Sequence, residues 1–146
     1  MSNIQSQALN GNGHIQARLQ KEINKVLRRL SESDDEITWI ITDGYSRPFC
    51  SSLFFMTSPA VAIPSCNEIH IDICLLRSPS NCLAMPATWL FVSPGVDILA
   101  NVIMDELAHI KTGKDHGTKE YDEKLASYHK RYYKPNYLYR LLHGIP

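Results

Sequence analysis

The chain has 146 residues, of which 44% are apolar, enough to build one core and too few to call for a second domain. Fifteen basic side chains balance fifteen acidic ones. A zero net charge removes any global electrostatic pull toward nucleic acid or anionic membrane, and no apolar run reaches the length of a membrane span.

Residues 1–13, rich in Asn, Gln, Ser and Gly, carry too little apolar surface to offset their ordering entropy and are expected to form a loose tail, with a single domain over residues 14–146. The tail has no apolar stretch of the kind a secretory leader needs. Over residues 14–30, Ile15, Leu19, Ile23, Val26, Leu27 and Leu30 recur every three or four positions, with Arg18, Lys21, Lys25 and Arg28 between them. That spacing predicts an amphipathic helix with a wet basic face. Residues 37–42 are β-branched and aromatic and predict a strand, after which Asp43 and Gly44 supply a turn.

Residues 50–57 and 60–63 are further extended candidates, closed by Pro64 and Ser65. The clearest strand pattern covers residues 68–76. There Ile69, Ile71, Ile73 and Leu75 alternate with His70, Asp72 and Cys74, which predicts one core face and one partly polar face. His70 in such a pattern reads first as a satisfied sheet histidine. The exposed edge of this strand, with Glu68, His70 and Asp72, is the expected binding surface for an extended peptide.

Cys50, Cys66, Cys74 and Cys82 contain no Cys-x-x-Cys pair. Although Cys66, Cys74 and Cys82 are evenly stepped, the expectation is buried, reduced thiols in an intracellular protein and not metal ligands. Residues 77–85 read as a loop. Ser93, Pro94 and Gly95 read as the entrance to a helix running from about residue 96 to 112, striped by Val96, Leu99, Val102, Ile103 and Leu107 and released by Gly113. A last helix is expected from residue 118 to about 133, with Tyr121, Leu125, Tyr128 and Tyr132 on one side and Pro135 beyond its end.

The chemistry concentrates on the helix before Gly113. Asp105-Glu106-Leu107-Ala108-His109 differs by one residue from H-E-x-x-H, in which two imidazoles one turn apart hold a metal and the glutamate activates water. Positions 105 and 109 share a helix face. After Gly113 the chain can turn His116 back as a third ligand, leaving one coordination position open. Asp105, His109 and His116 are therefore the candidate metal ligands, and Glu106 is the candidate general base. Tyr128, Tyr132 and His129 are candidates to assist an oxyanion, with nothing to choose between them. The bland alternative is an Asp–His pair four apart on a solvated helix face.

The strand Asn67-Glu68-Ile69-His70-Ile71-Asp72-Ile73, the helix from Val96 through Asp105-Glu106-Leu107-Ala108-His109, and Asp115-His116-Gly117-Thr118-Lys119-Glu120-Tyr121 together resemble the small zincin metallopeptidases of the SprT-like and WLM-type group. The resemblance spans nearly half the chain. It implies a minimal α+β fold: a small, mostly antiparallel sheet against an N-terminal helix and an active-site helix, with a C-terminal helix added. It also implies a zinc cofactor held by His109 and His116, Glu106 as catalytic acid and base, and a peptide or protein substrate.

Asp105 departs from that pattern, since it stands where the group has its first histidine. A carboxylate reaches less far and adds negative charge at the metal, which weakens its Lewis acidity. A working D-H-H site, a metal-free pseudopeptidase acting as a binding module, and a replaced ligand all stay open. Gly113-Lys114-Asp115-His116 also looks like the Gly-x-Asp-His end of the bacterial ribosomal-RNA maturation endoribonucleases, which use three histidines at tighter spacing. The run Lys111, Lys114, Lys119, Lys124, Lys130, Arg131 and Lys134, interleaved with tyrosines, would serve a nucleic-acid partner only if the tyrosines faced outward. Glu120, Asp122 and Glu123 interrupt its positive field.

Overall fold

Helix α1, Gly13–Leu30, buries the side chains its periodicity selects, namely Ile15, Leu19, Ile23, Val26 and Leu30. The computed structural model describes residues 1–8, 13–43, 60–77, 97–134, 137–142 and 144–145. Expectations for residues 50–57, for the loop at 78–85 and for Ser93, Pro94 and Gly95 lie outside them. The fold is α+β. Among the described residues the sheet has four strands in the order β1-β2-β4-β3, with β1 at Asn3–Ser6, β2 at Thr38–Thr42, β3 at Ala60–Ile63 and β4 at Glu68–Asp72.

Among these strands two of the three pairings are parallel, β1 with β2 and β2 with β4, while β3 runs antiparallel to β4. The expectation of a mostly antiparallel sheet is thereby corrected. Parallel neighbours need a crossover, and α1 provides the one between β1 and β2. Residues 3–6 depart from the loose tail that their composition predicts. Their backbone pairs with β2 in register from Asn3 opposite Thr38 to Ser6 opposite Ile41, and Gln7 extends the contact through its N–H to the Ile41 carbonyl at 2.8 Å.

Strand β4 ends at Asp72, four residues short of the predicted strand. The Asp72 carboxylate accepts from the Cys74 N–H at 2.9 Å, a turn-forming bond that competes with the ladder, and the chain enters a short helix α2, Ile73–Arg77. Cys74 is disulfide-bonded, so the expected buried free thiol is corrected there; its partner lies outside the described residues. Cys66 is free and exposed.

Side-chain parity divides the sheet. Trp39, Ile41, Ala60, Ile69 and Ile71 join the helices in one core. Val61, Ile40, Glu68, His70 and Asp72 alternate to the other face by register. Helices α3, Ile98–Thr112, and α4, Lys119–Tyr132, complete the core layer, and α5, Tyr137–Leu142, follows. Asp97 is the N-cap of α3, two residues beyond the predicted entrance: its carboxylate accepts from the Ala100 N–H at 3.0 Å. No helix among the described residues is long and apolar enough to cross a membrane.

Candidate metal centre

Helix α3 sets the site because its interior face is anchored while its last turns stay accessible. Leu99, Ile103, Met104 and Leu107 are buried in the core, and this fixes the rotation that brings Asp105 and His109 to the rim. Gly113 ends the helix in the left-handed conformation, φ 63°, with its N–H on the His109 carbonyl. Gly117, at φ 81°, makes a second left-handed turn. The two glycines bracket Lys114, Asp115 and His116 and fold this loop back over the helix.

That fold-back brings His116 to His109. Their Nε2 atoms stand 3.2 Å apart. His109 Nδ1 lies 2.7 Å from the Lys114 carbonyl oxygen; a carbonyl only accepts, so Nδ1 carries the proton and Nε2 of the neutral ring is left with its lone pair. Asp105 Oδ2 lies 3.9 Å from His116 Nε2. One donor atom from each of Asp105, His109 and His116 falls within 4.8 Å of the other two.

These dimensions suit a small cation. Two nitrogens bound tetrahedrally to one zinc at about 2.0–2.1 Å are about 3.3 Å apart, close to the 3.2 Å between the imidazoles. The carboxylate stands farther off, with Oδ2 at 3.9 Å from His116 Nε2 and all three donor atoms within 4.8 Å of one another. Two imidazoles and one carboxylate are a donor set that could hold a metal ion.

A cleft of about 250 Å3 opens over the cluster, lined by Ala60, Val61, Ala62, Pro64, Asp105, Glu106, His109, Asp115 and His116. Glu106, 5% exposed, contributes a buried carboxyl to this wall. The structure thus brings together Asp105, Glu106, His109 and His116. Glu68, His70 and Asp72 do not line the cleft, which opens beside β3, whereas β4 lies between β2 and β3 and turns these three side chains away from the Ile69 and Ile71 face. His70 is buried and its Nε2 sits 3.0 Å from Glu68 Oε2. The strand beside the cluster is β3, which among the described residues forms the edge of the sheet.

Tyr121 is the site residue that sequence reasoning missed. Its spacing marks it only as one apolar position on α4, yet it is 1% exposed, donates its hydroxyl proton to Asp105 Oδ1, and packs its ring against both imidazoles. Burial, then the Asp105 carboxylate, drive its pKa well above the ordinary phenol value, so it stays a neutral donor. The suggested oxyanion helpers sit elsewhere. Tyr132 donates to Asp97 at 2.8 Å, Tyr128 is wholly buried, and the His129 ring rests on Tyr133.

The basic series is also committed to structure in part. Lys111 bonds the Ser33 carbonyl, Lys124 the Glu32 carboxylate and Arg131 the Leu30 carbonyl, tying α3 and α4 to the end of α1.

Replacing Gly117 by Ala tests the fold-back. A methyl there meets open space, so the cost is that of the left-handed backbone alone, about 1–2 kcal/mol. We expect urea unfolding to report a loss of that size. An unchanged midpoint would show that the turn is not required. No family model, no curated protein and no solved structure matches this chain.

Proposed function

We propose that the domain is a metal-dependent peptidase in which Asp105, His109 and His116 hold zinc and Glu106 is the general base. The carrying observation is the convergence of two imidazole Nε2 atoms at 3.2 Å in a cleft walled by a buried carboxylate and a strand edge. Bound zinc would supply Lewis acidity, polarising a carbonyl and making a water molecule acidic near neutral pH.

The chain's own groups do the rest. Glu106 takes the proton from the attacking water and returns it to the leaving amine, a role that requires a carboxylate beside the donor set and outside it. Strand β3, in place of β4, aligns an extended substrate through its main chain, with the small side chains of Ala60 and Ala62 leaving room for close approach. The Lys114 carbonyl holds His109 in the tautomer that presents Nε2.

The peptidase reading is favoured over the endoribonuclease because Tyr121, Tyr128 and Tyr132 are buried and offer no stacking platform. It is favoured over a binding module by the position of Glu106, whose buried side chain lines the cleft beside the donor set, where hydrolysis needs a general base.

Protein stripped by chelator and reloaded should retain one zinc per chain, unfold at higher temperature with excess zinc, and cleave an unstructured protein such as casein. Free zinc at about 100 times its dissociation constant corresponds to about 2.7 kcal/mol of added stability. Folded protein that retains no zinc would refute the centre; zinc binding without cleavage would leave a pseudopeptidase.

A further inference from the structure

We infer that Tyr121 is a positioning residue that makes Asp105 a one-oxygen metal ligand, so that aspartate here is a built member of the donor set and not a decayed histidine. This rests on reading the cluster as a metal centre. The Tyr121 hydroxyl occupies Oδ1 of Asp105, while Oδ2 is the oxygen facing His116 Nε2 at 3.9 Å. A carboxylate held in this way is poised to bind through one oxygen. The donated hydrogen bond draws electron density from it and offsets the extra negative charge that an aspartate brings to the metal.

The ring has a second effect. Its centroid lies 4.5 Å from that of His109 in a stacked arrangement and 4.6 Å from that of His116 edge-on, so one buried side chain restrains all three donors. An imidazole at position 105 bound to the metal through one nitrogen carries N–H on the other and could only donate to this hydroxyl, which would leave the Tyr121 proton without its acceptor. The surroundings of residue 105 are therefore complementary to a carboxylate.

The test is a double-mutant cycle on zinc affinity, measured by chelator competition on the full chain, with Tyr121→Phe and Asp105→Ala alone and together. Tyr121→Phe is expected to weaken zinc binding about 10- to 100-fold. In the Asp105→Ala background the same change should alter affinity by less than about 2-fold. The visible spectrum of the cobalt-loaded protein should also shift in Tyr121→Phe, because a carboxylate freed of its hydrogen bond can bind through both oxygens.

Equal weakening with and without Asp105 would show that the tyrosine acts only through packing and would overturn the inference. So would wild-type affinity in Tyr121→Phe. Asp105→His gives a second arm that does not depend on how well Tyr121→Phe folds: it should bind zinc more weakly than the wild type, and tighter binding would sink the idea. Zinc binding by the wild type combined with any of these contrary results removes the role of Tyr121 alone. Absence of zinc binding by folded wild type removes the metal centre and this inference with it.

Discussion

Glu106→Gln is expected to lower peptide hydrolysis by about 100- to 10,000-fold while leaving the zinc content unchanged. The substitution keeps the size and shape of a side chain that is 5% exposed in the cleft wall, so neither packing nor access should change much. What it removes is the ability to accept a proton. His109→Ala should behave differently, losing zinc and hydrolysis together, because His109 Nε2 is one of the converging donors. The contrast separates a base from a ligand. Undiminished cleavage by Glu106→Gln would exclude Glu106 as the base, and loss of zinc from the same variant would make it a ligand instead.

Asp97→Ala is expected to cost about 2–4 kcal/mol in urea unfolding at pH 7, combining a lost helix cap with lost hydrogen bonds to charged and buried groups, less an allowance for partial solvent exposure. The Asp97 carboxylate accepts from the Ala100 N–H at 3.0 Å, from Lys25 Nζ at 2.7 Å and from the Tyr132 hydroxyl at 2.8 Å. One side chain thus joins the start of α3 to α1 and α4. Burial alone would raise its pKa, but the hydrogen bonds from Lys25, Ala100 and Tyr132 prevail and hold it below the ordinary carboxylate value.

The sign of the pH effect follows from that depression. Unfolded Asp97 takes up a proton more readily than folded Asp97, so its contribution to stability is complete above the unfolded pKa of about 4 and declines as pH falls through the folded value. Wild type should therefore lose stability more steeply than Asp97→Asn on acidification from pH 5 to pH 3. Parallel curves would mean that the carboxylate charge is not what holds these helices together.

Much of this was legible from local pattern. The stripe of Ile15, Leu19, Ile23, Val26 and Leu30 reports a helix face directly, and the Gly113 exit follows from the need for a left-handed residue after α3. Asp105, His109 and His116 converge as their spacing implied. Strand partners are another matter. Asn3–Ser6 is short and polar and gains its order only from β2, more than thirty residues away, so no local signal marks it as a strand or its pairing as parallel.

Alternation also ran past its physical end. Ile73 and Leu75 continue the period of β4, but the Asp72 carboxylate captures the Cys74 N–H and turns the chain into helix. The same alternation gave the correct two faces of β4 without saying which would meet α3, and Glu68, His70 and Asp72 fell on the far one. Tyr121 was illegible as a site residue because its role depends on the packing of α4 against α3, which brings its hydroxyl to Asp105 sixteen positions earlier.

The pairing of Asn3–Ser6 has a consequence for handling the protein. This strand covers one side of β2, whose residues Trp39, Ile40, Ile41 and Thr42 are all buried. Trimming the first dozen residues as a dispensable leader would bare a row of unpaired peptide groups along a β-branched segment, the kind of surface on which chains stack into aggregates.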